Sequence, residues 1–80
     1  MVTTITMRHA TNWAGERYLG FYHGKRLVGE VDPRGEKFYV FFGFSRPERI
    51  GIHADRDHAI KQLQAAIKAA ISGQVKFYMA

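Results

Sequence analysis

The chain has no cysteine, only two prolines and two serines among 80 residues, and no apolar run near membrane-spanning length. Each scarcity removes a class of function. Without cysteine there is no disulfide framework, no thiolate metal site and no thiol nucleophile; protein-based redox chemistry is excluded, and the chain suits a reducing compartment. Serine stands only at Ser45, in a turn-like stretch, and at Ser72, where a helical pattern ends, so a Ser-His-Asp arrangement has no support. The apolar stretches fall well short of the roughly 18 residues that span a bilayer, and Met1 to Ile5 lacks the basic-then-apolar layout of a secretory leader. No membrane partner is expected, and the expected location is the cytoplasm.

Acidic residues are also in the minority. Twelve Lys and Arg against seven Asp and Glu give a net charge of +5, with basic residues spread from Arg8 to Lys76. That balance favours polyanions or acidic protein surfaces as partners. What the chain has in quantity is apolar bulk: 46% hydrophobic residues, with six Phe, four Tyr and one Trp, enough for a packed core and too much for a disordered chain. A chain this short buries roughly 60% of its unfolded surface and cannot divide that core. Residues 1–80 are therefore expected to form a single α+β domain.

Thr3 to Met7 is a β-branched stretch that reads as an edge strand, followed by a loop from Arg8 to Glu16 that carries Trp13. Arg17 to Tyr22 and Arg26 to Val31 are strand-like runs around His23-Gly24-Lys25, the clearest hairpin signal in the chain. Asp32-Pro33-Arg34-Gly35 reads as a second turn, Glu36 to Phe44 as the strongest strand, Ser45-Arg46-Pro47-Glu48 as a third turn and Arg49 to His53 as a short strand. An amphipathic helix follows, with Asp55 as N-cap, Asp57 in the first turn and Gly73 as the stop. Ile60, Leu63, Ile67, Ala70 and Ile71 form its apolar stripe. Val75, Phe77 and Met79 alternate with Lys76 and Tyr78 as a last strand, whose partner is either Thr3 to Met7 or a second copy of the chain, which would make a homodimer through the terminal strands. The predicted architecture is an antiparallel meander of four to five strands packed on one helix.

Alternation along the strands divides the residues between two faces. With Leu19, Phe21, Leu27, Val31, Phe38, Val40, Phe42, Ile50 and Ile52 turned to the helix, the outward set contains Tyr18, Tyr22, Arg26, Tyr39, Phe41, Arg49 and His53, interrupted by Gly20, Gly43 and Gly51. Aromatic rings beside arginine suit exposed bases and protein hot spots alike, and one helix covers only one face of a sheet. Tyr18, Tyr22, Arg26, Lys37, Tyr39, Phe41 and Arg49 are the candidate partner-binding residues. The bland alternative is that these rings are cross-strand packing pairs.

Catalysis finds little foothold. His53-Ala54-Asp55-Arg56-Asp57-His58 resembles the His-x-His-x-Asp-His signature of metallo-β-lactamase-like hydrolases but has Asp55 at a ligand position, and no later histidine completes a site. Asp55 and Asp57 are better explained as cap and dipole partners of the helix. Glu30, Glu36 and Glu48 stand apart from one another, and no phosphate-binding glycine loop occurs. The expectation is a non-enzymatic protein without catalytic residues, metal or cofactor.

Two kinds of binding protein fit. The layout from Tyr18 to Ile71, strands followed by an alanine-rich helix, resembles the sheet-plus-helix DNA-binding domains of phage integrase arms and plant AP2-type factors. That resemblance implies Arg17, Arg26, Lys37 and Arg49 as duplex contacts. In size and format, with the aromatic sheet of Tyr18 to Phe44 and the single helix of Asp55 to Ile71, the chain also resembles the small stand-alone anti-CRISPR proteins of phages. This second resemblance, ranked first, implies a binding inhibitor of a nucleic-acid-guided defence complex in the host cytoplasm. Its partner is an acidic protein surface or a nucleoprotein, or nucleic acid itself, met by the face that holds Tyr39, Arg26 and Arg49.

Overall fold

The structure, a computed structural model, describes all residues from 1 to 80. The elements are β1 (Val2–Thr11), β2 (Arg17–His23), β3 (Arg26–Arg34), β4 (Lys37–Phe42), β5 (Glu48–His53), α1 (Arg56–Ala70) and β6 (Gln74–Met79). The strands form one sheet in the order β5-β4-β3-β2-β1-β6. Neighbours from β1 to β5 are antiparallel, whereas β6 runs parallel to β1. The fold is α+β as expected, but the antiparallel meander of four to five strands is instead a mixed sheet of six. The parallel pair arises because α1 leaves β5 at one edge and carries the chain across the sheet to the opposite edge, a crossover that an antiparallel hairpin does not need.

Val75 to Met79 pairs with Thr3 to Met7, in the register Thr3 to Val75, Ile5 to Phe77 and Met7 to Met79. Pairing with β1 lets Phe77 reach the core and meet Phe21 edge to face, with ring centroids 6.1 Å apart. β1 is thus an interior strand, and the open sheet edges belong to β5 and β6. It is also longer than expected, since Arg8 to Thr11 pair with Arg17 to Gly20 and leave only Asn12 to Glu16 as a loop. Asn12 orders that loop by accepting hydrogen bonds through Oδ1 from the backbone N–H groups of Ala14 and Glu16, both at 2.9 Å. Trp13 sits at its tip, 98% exposed.

Asp32, Pro33 and Arg34 belong to β3 rather than to a turn. β2 pairs with β3 only as far as Leu19 and Val31, so Pro33 has a strand on one side alone and its missing N–H breaks no ladder. Asp55 caps α1 as expected, its side chain accepting from the His58 N–H at 3.2 Å. Helical backbone stops at Ala70, with Ile71 extended as the C-cap and Gly73 at φ 89° after it. Ala59, Leu63 and Ile67 form the buried stripe, Ile60 and Ile71 flank it, and Ala70 faces solvent. No helix is long and apolar enough to cross a membrane.

The core is Ile5, Leu19, Phe21, Val28, Val31 and Val40 from the sheet against Ala59, Leu63 and Ile67 from the helix. Two β-bulges shape it. Phe21 pairs with Gly29 while Tyr22 pairs with Leu27, so Val28 is an extra residue on β3. Likewise Val40 pairs with Gly51 while Phe41 pairs with Arg49, leaving Ile50 extra on β5. Each bulge turns two consecutive residues toward the helix and reverses the alternation on one side of it. Val28 therefore enters the core, and Leu27 (36% exposed) and Ile52 (45% exposed), both expected inside, face outward. Gly51 and His53, expected outside, turn to the helix.

The helix presses close at both bulges. A Cβ on Gly29 would come within 2.8 Å of Leu63 Cδ1 and of the Phe41 carbonyl oxygen, and one on Gly51 would collide with the Gln62 side chain. Gln62 is itself fixed there. Its Nε2 donates to the Ile50 carbonyl at 2.9 Å and its Oε1 accepts from His53 Nε2 at 2.6 Å. Two results are expected in urea titrations. Leu63→Ala lowers the unfolding free energy by about 2–5 kcal/mol, and Gly29→Ala lowers it by about 1–3 kcal/mol. The glycine substitution costs less in the Leu63→Ala background, because only the clash with the Phe41 carbonyl then remains; strict additivity of the two changes would refute the close seat.

Candidate partner-binding face

The face of the sheet opposite α1 has no element over it. Cross-strand partners share a face, so the register assigns to it Thr6, Arg8 and Ala10 on β1, Tyr18, Gly20 and Tyr22 on β2, and Glu30, Asp32 and Arg34 on β3. Lys37, Tyr39 and Phe41 on β4 and Arg49 and Ile52 on β5 complete its centre. Of the seven residues expected there, Tyr18, Tyr22, Lys37, Tyr39, Phe41 and Arg49 are brought together. Arg26 is not: it pairs with His23 at the hairpin end, one residue beyond Leu27, and so alternates to the helix side. His53 also leaves the set, held by Gln62.

Arginines and rings are stacked across this surface. The Arg8 guanidinium lies 4.4 Å from the centre of the Tyr22 ring. That of Arg34 lies 5.2 Å from Tyr39 and 5.5 Å from Phe41, and that of Arg49 lies 5.8 Å from Tyr39. Such contacts restrain a guanidinium over a ring without using its N–H groups, which on Arg34 are in part engaged by Asp32. Tyr22 in turn folds over Gly20, where a Cβ would sit 2.8 Å from its ring. Neither Arg8 nor Arg34 is in the expected set, because the sequence places one in a loop and the other in a turn.

Two carboxylates occupy the middle. Asp32 is only 5% exposed, and its Oδ2 accepts from both Nε and one terminal nitrogen of Arg34 at 3.2 Å. Its Oδ1 is buried and accepts no hydrogen bond from the chain. Burial, reinforced by the Asp32 charge and opposed by Arg34, holds the Glu30 carboxyl above its ordinary value. Burial likewise raises the Tyr18 hydroxyl, with Tyr22, Glu30 and Asp32 adding to the effect, so Tyr18 remains a hydrogen-bond donor at neutral pH.

The His53 to His58 segment has been taken up by structural contacts. His53 bonds Gln62, and Asp55 caps the helix while standing 3.6 Å from His58 Nδ1. No three of the chain's histidines and carboxylates converge in a geometry for a metal ion. What the open face offers chemically is stacking, guanidinium donors and a recessed pair of carboxylates. Comparison of the chain with family models, with functionally described proteins and with solved structures finds no match.

The Glu30 environment gives a pH signature. Ionising a carboxyl whose folded value is raised costs folding free energy, fully above the folded value and not at all below the unfolded one. Glu30→Gln is therefore more stable than the parent chain in thermal melts at pH 7, and the difference vanishes at about pH 3.5, below the ordinary glutamate value. A gain that persists at the lower pH would mean that the side chain acts through packing instead.

Proposed function

We propose that this chain is a non-enzymatic binding protein that docks a protein or nucleoprotein partner on the open face of its sheet, acting as a phage-type inhibitor of a nucleic-acid-guided defence complex in the host cytoplasm. The observation that carries the binding role is the set of guanidiniums laid on rings, Arg8 on Tyr22 and Arg34 and Arg49 on Tyr39, on a face that nothing in the chain covers. Keeping arginine and tyrosine in fixed geometry before binding reduces the ordering cost on association, and these are the residue types that dominate interface energies. The recessed Glu30 and Asp32 favour a protein surface over a bare duplex. Two carboxylates at the centre of the face would meet phosphates with like charge, whereas a protein partner can answer them with cations. The small format and the single scaffold helix support the inhibitor role.

The test is inhibition of target cleavage across a panel of purified guide-RNA effector complexes. One complex is expected to be blocked at near-stoichiometric protein. Tyr39→Ala and Arg49→Glu should each raise the half-inhibitory concentration at least about tenfold, the scale of a hot spot, while leaving the melting temperature close to that of the parent. Inhibition of none of the complexes, with salt-sensitive binding to naked duplex, would replace this reading by the DNA-binding one.

A further inference from the structure

On the helix side of the sheet, at the end where α1 begins, strands and helix leave a cavity of about 300 Å³. Leu19, Pro33 and Phe38 contribute hydrocarbon to its walls, and His9, Arg17 and Arg56 contribute every polar side chain that lines it. No carboxylate answers the two arginines: the ion pairs of the chain join Arg34 to Asp32 and His58 to Asp55. Arg56 instead donates to His9 Nε2 at 2.8 Å, which requires a neutral imidazole with its proton on Nδ1. Burial lowers the readiness of His9 to protonate, and the positive charges of Arg17 from β2 and Arg56 from α1 lower it further. The neighbouring β3 and β4 face it with Pro33 and Phe38, which carry no charge. Two like charges and a suppressed imidazole around an apolar floor form an arrangement that an anion would relieve.

We propose that this cavity binds a small phosphate monoester bearing a flat apolar group, its phosphate between Arg17 and Arg56 and its apolar part on Leu19, Pro33 and Phe38. Guanidinium forks match phosphate oxygens in geometry and charge. The volume lies at the small end of ligand pockets, which suits a compact monoester. A dianion would draw the Arg56 N–H groups to itself, release His9 Nε2 and favour the imidazolium, which then donates to a phosphate oxygen. Binding is thereby linked to proton uptake at His9. The site lies on the face opposite the proposed partner surface, so the two assignments stand or fall separately.

Phenyl phosphate and inorganic phosphate are the probes, titrated into the full chain and followed by NMR. Phenyl phosphate should bind saturably, shift the resonances of His9, Arg17 and Phe38, and raise the His9 pKa. Inorganic phosphate should bind several-fold more weakly. Arg17→Gln and Arg56→Gln, both at exposed positions that leave the core intact, should each weaken phenyl phosphate binding about tenfold or more, the scale of a lost charged hydrogen bond. Phe38→Leu should narrow the gap between the two probes. Shifts that fail to saturate, that spread over all basic residues alike, or that survive unchanged in Arg56→Gln would overturn the proposal.

Discussion

Leu63 and Gln62 of α1 lie against two stretches of bare backbone, Gly29 and Gly51, and the arrangement of both faces follows from that close seat. Side chains at either glycine would lift the helix off the sheet. With the helix down, Leu63 joins Phe21, Val31 and Val40 in a closed core, while Gln62 bonds on both sides of Gly51, to Ile50 and to His53. In a chain of this size, where a single small core must offset the ordering of the whole backbone, such tight contact between layers matters more than in a large domain.

The same contact divides the molecule into a face that holds it together and a face that is free. Stability resides under the helix, where the apolar residues are buried. The opposite surface carries arginines lying over tyrosines, together with the buried carboxylate of Asp32 and the half-buried one of Glu30. A buried acceptor such as Asp32 Oδ1 detracts from stability.

The helix and its cap were legible because Asp55, the Leu63–Ile67 stripe and Gly73 are local signals that carry their own physics. The strand faces were legible only until the first bulge. Alternation carried along β3 from Val31, or along β5 from Ile50, lands on the wrong side of the bulge, which is why it puts Leu27 and Ile52 inward and Arg26 and His53 outward. A signal was present in both cases: each bulge is an apolar residue followed by glycine, Val28-Gly29 and Ile50-Gly51, and an isolated glycine within a strand marks this kind of irregularity. The extra length of β1, and with it the contribution of Arg8, depended on pairing with β2 that no single segment records. Pro33 masked Arg34 for a similar reason, since its tolerance within a strand depends on where the neighbouring strand stops. The His9, Arg17 and Arg56 cavity joins three segments distant in sequence and had no local signature at all.

The parallel pairing of β6 with β1 has a consequence for how the chain is made. During synthesis β1 can zip to β2 within moments, but its other edge must wait until β2 through β5 and the whole of α1 have followed, because only then does β6 exist to cover it. For that interval the nascent chain presents a ten-residue strand with free N–H and C=O groups and an alternating Ile5 and Met7, the kind of edge that recruits foreign strands. Completion of the sheet thus replaces a ten-residue open edge by the six-residue edge of β6, and a chain interrupted after α1 would fail by self-association while most of its core was already in place.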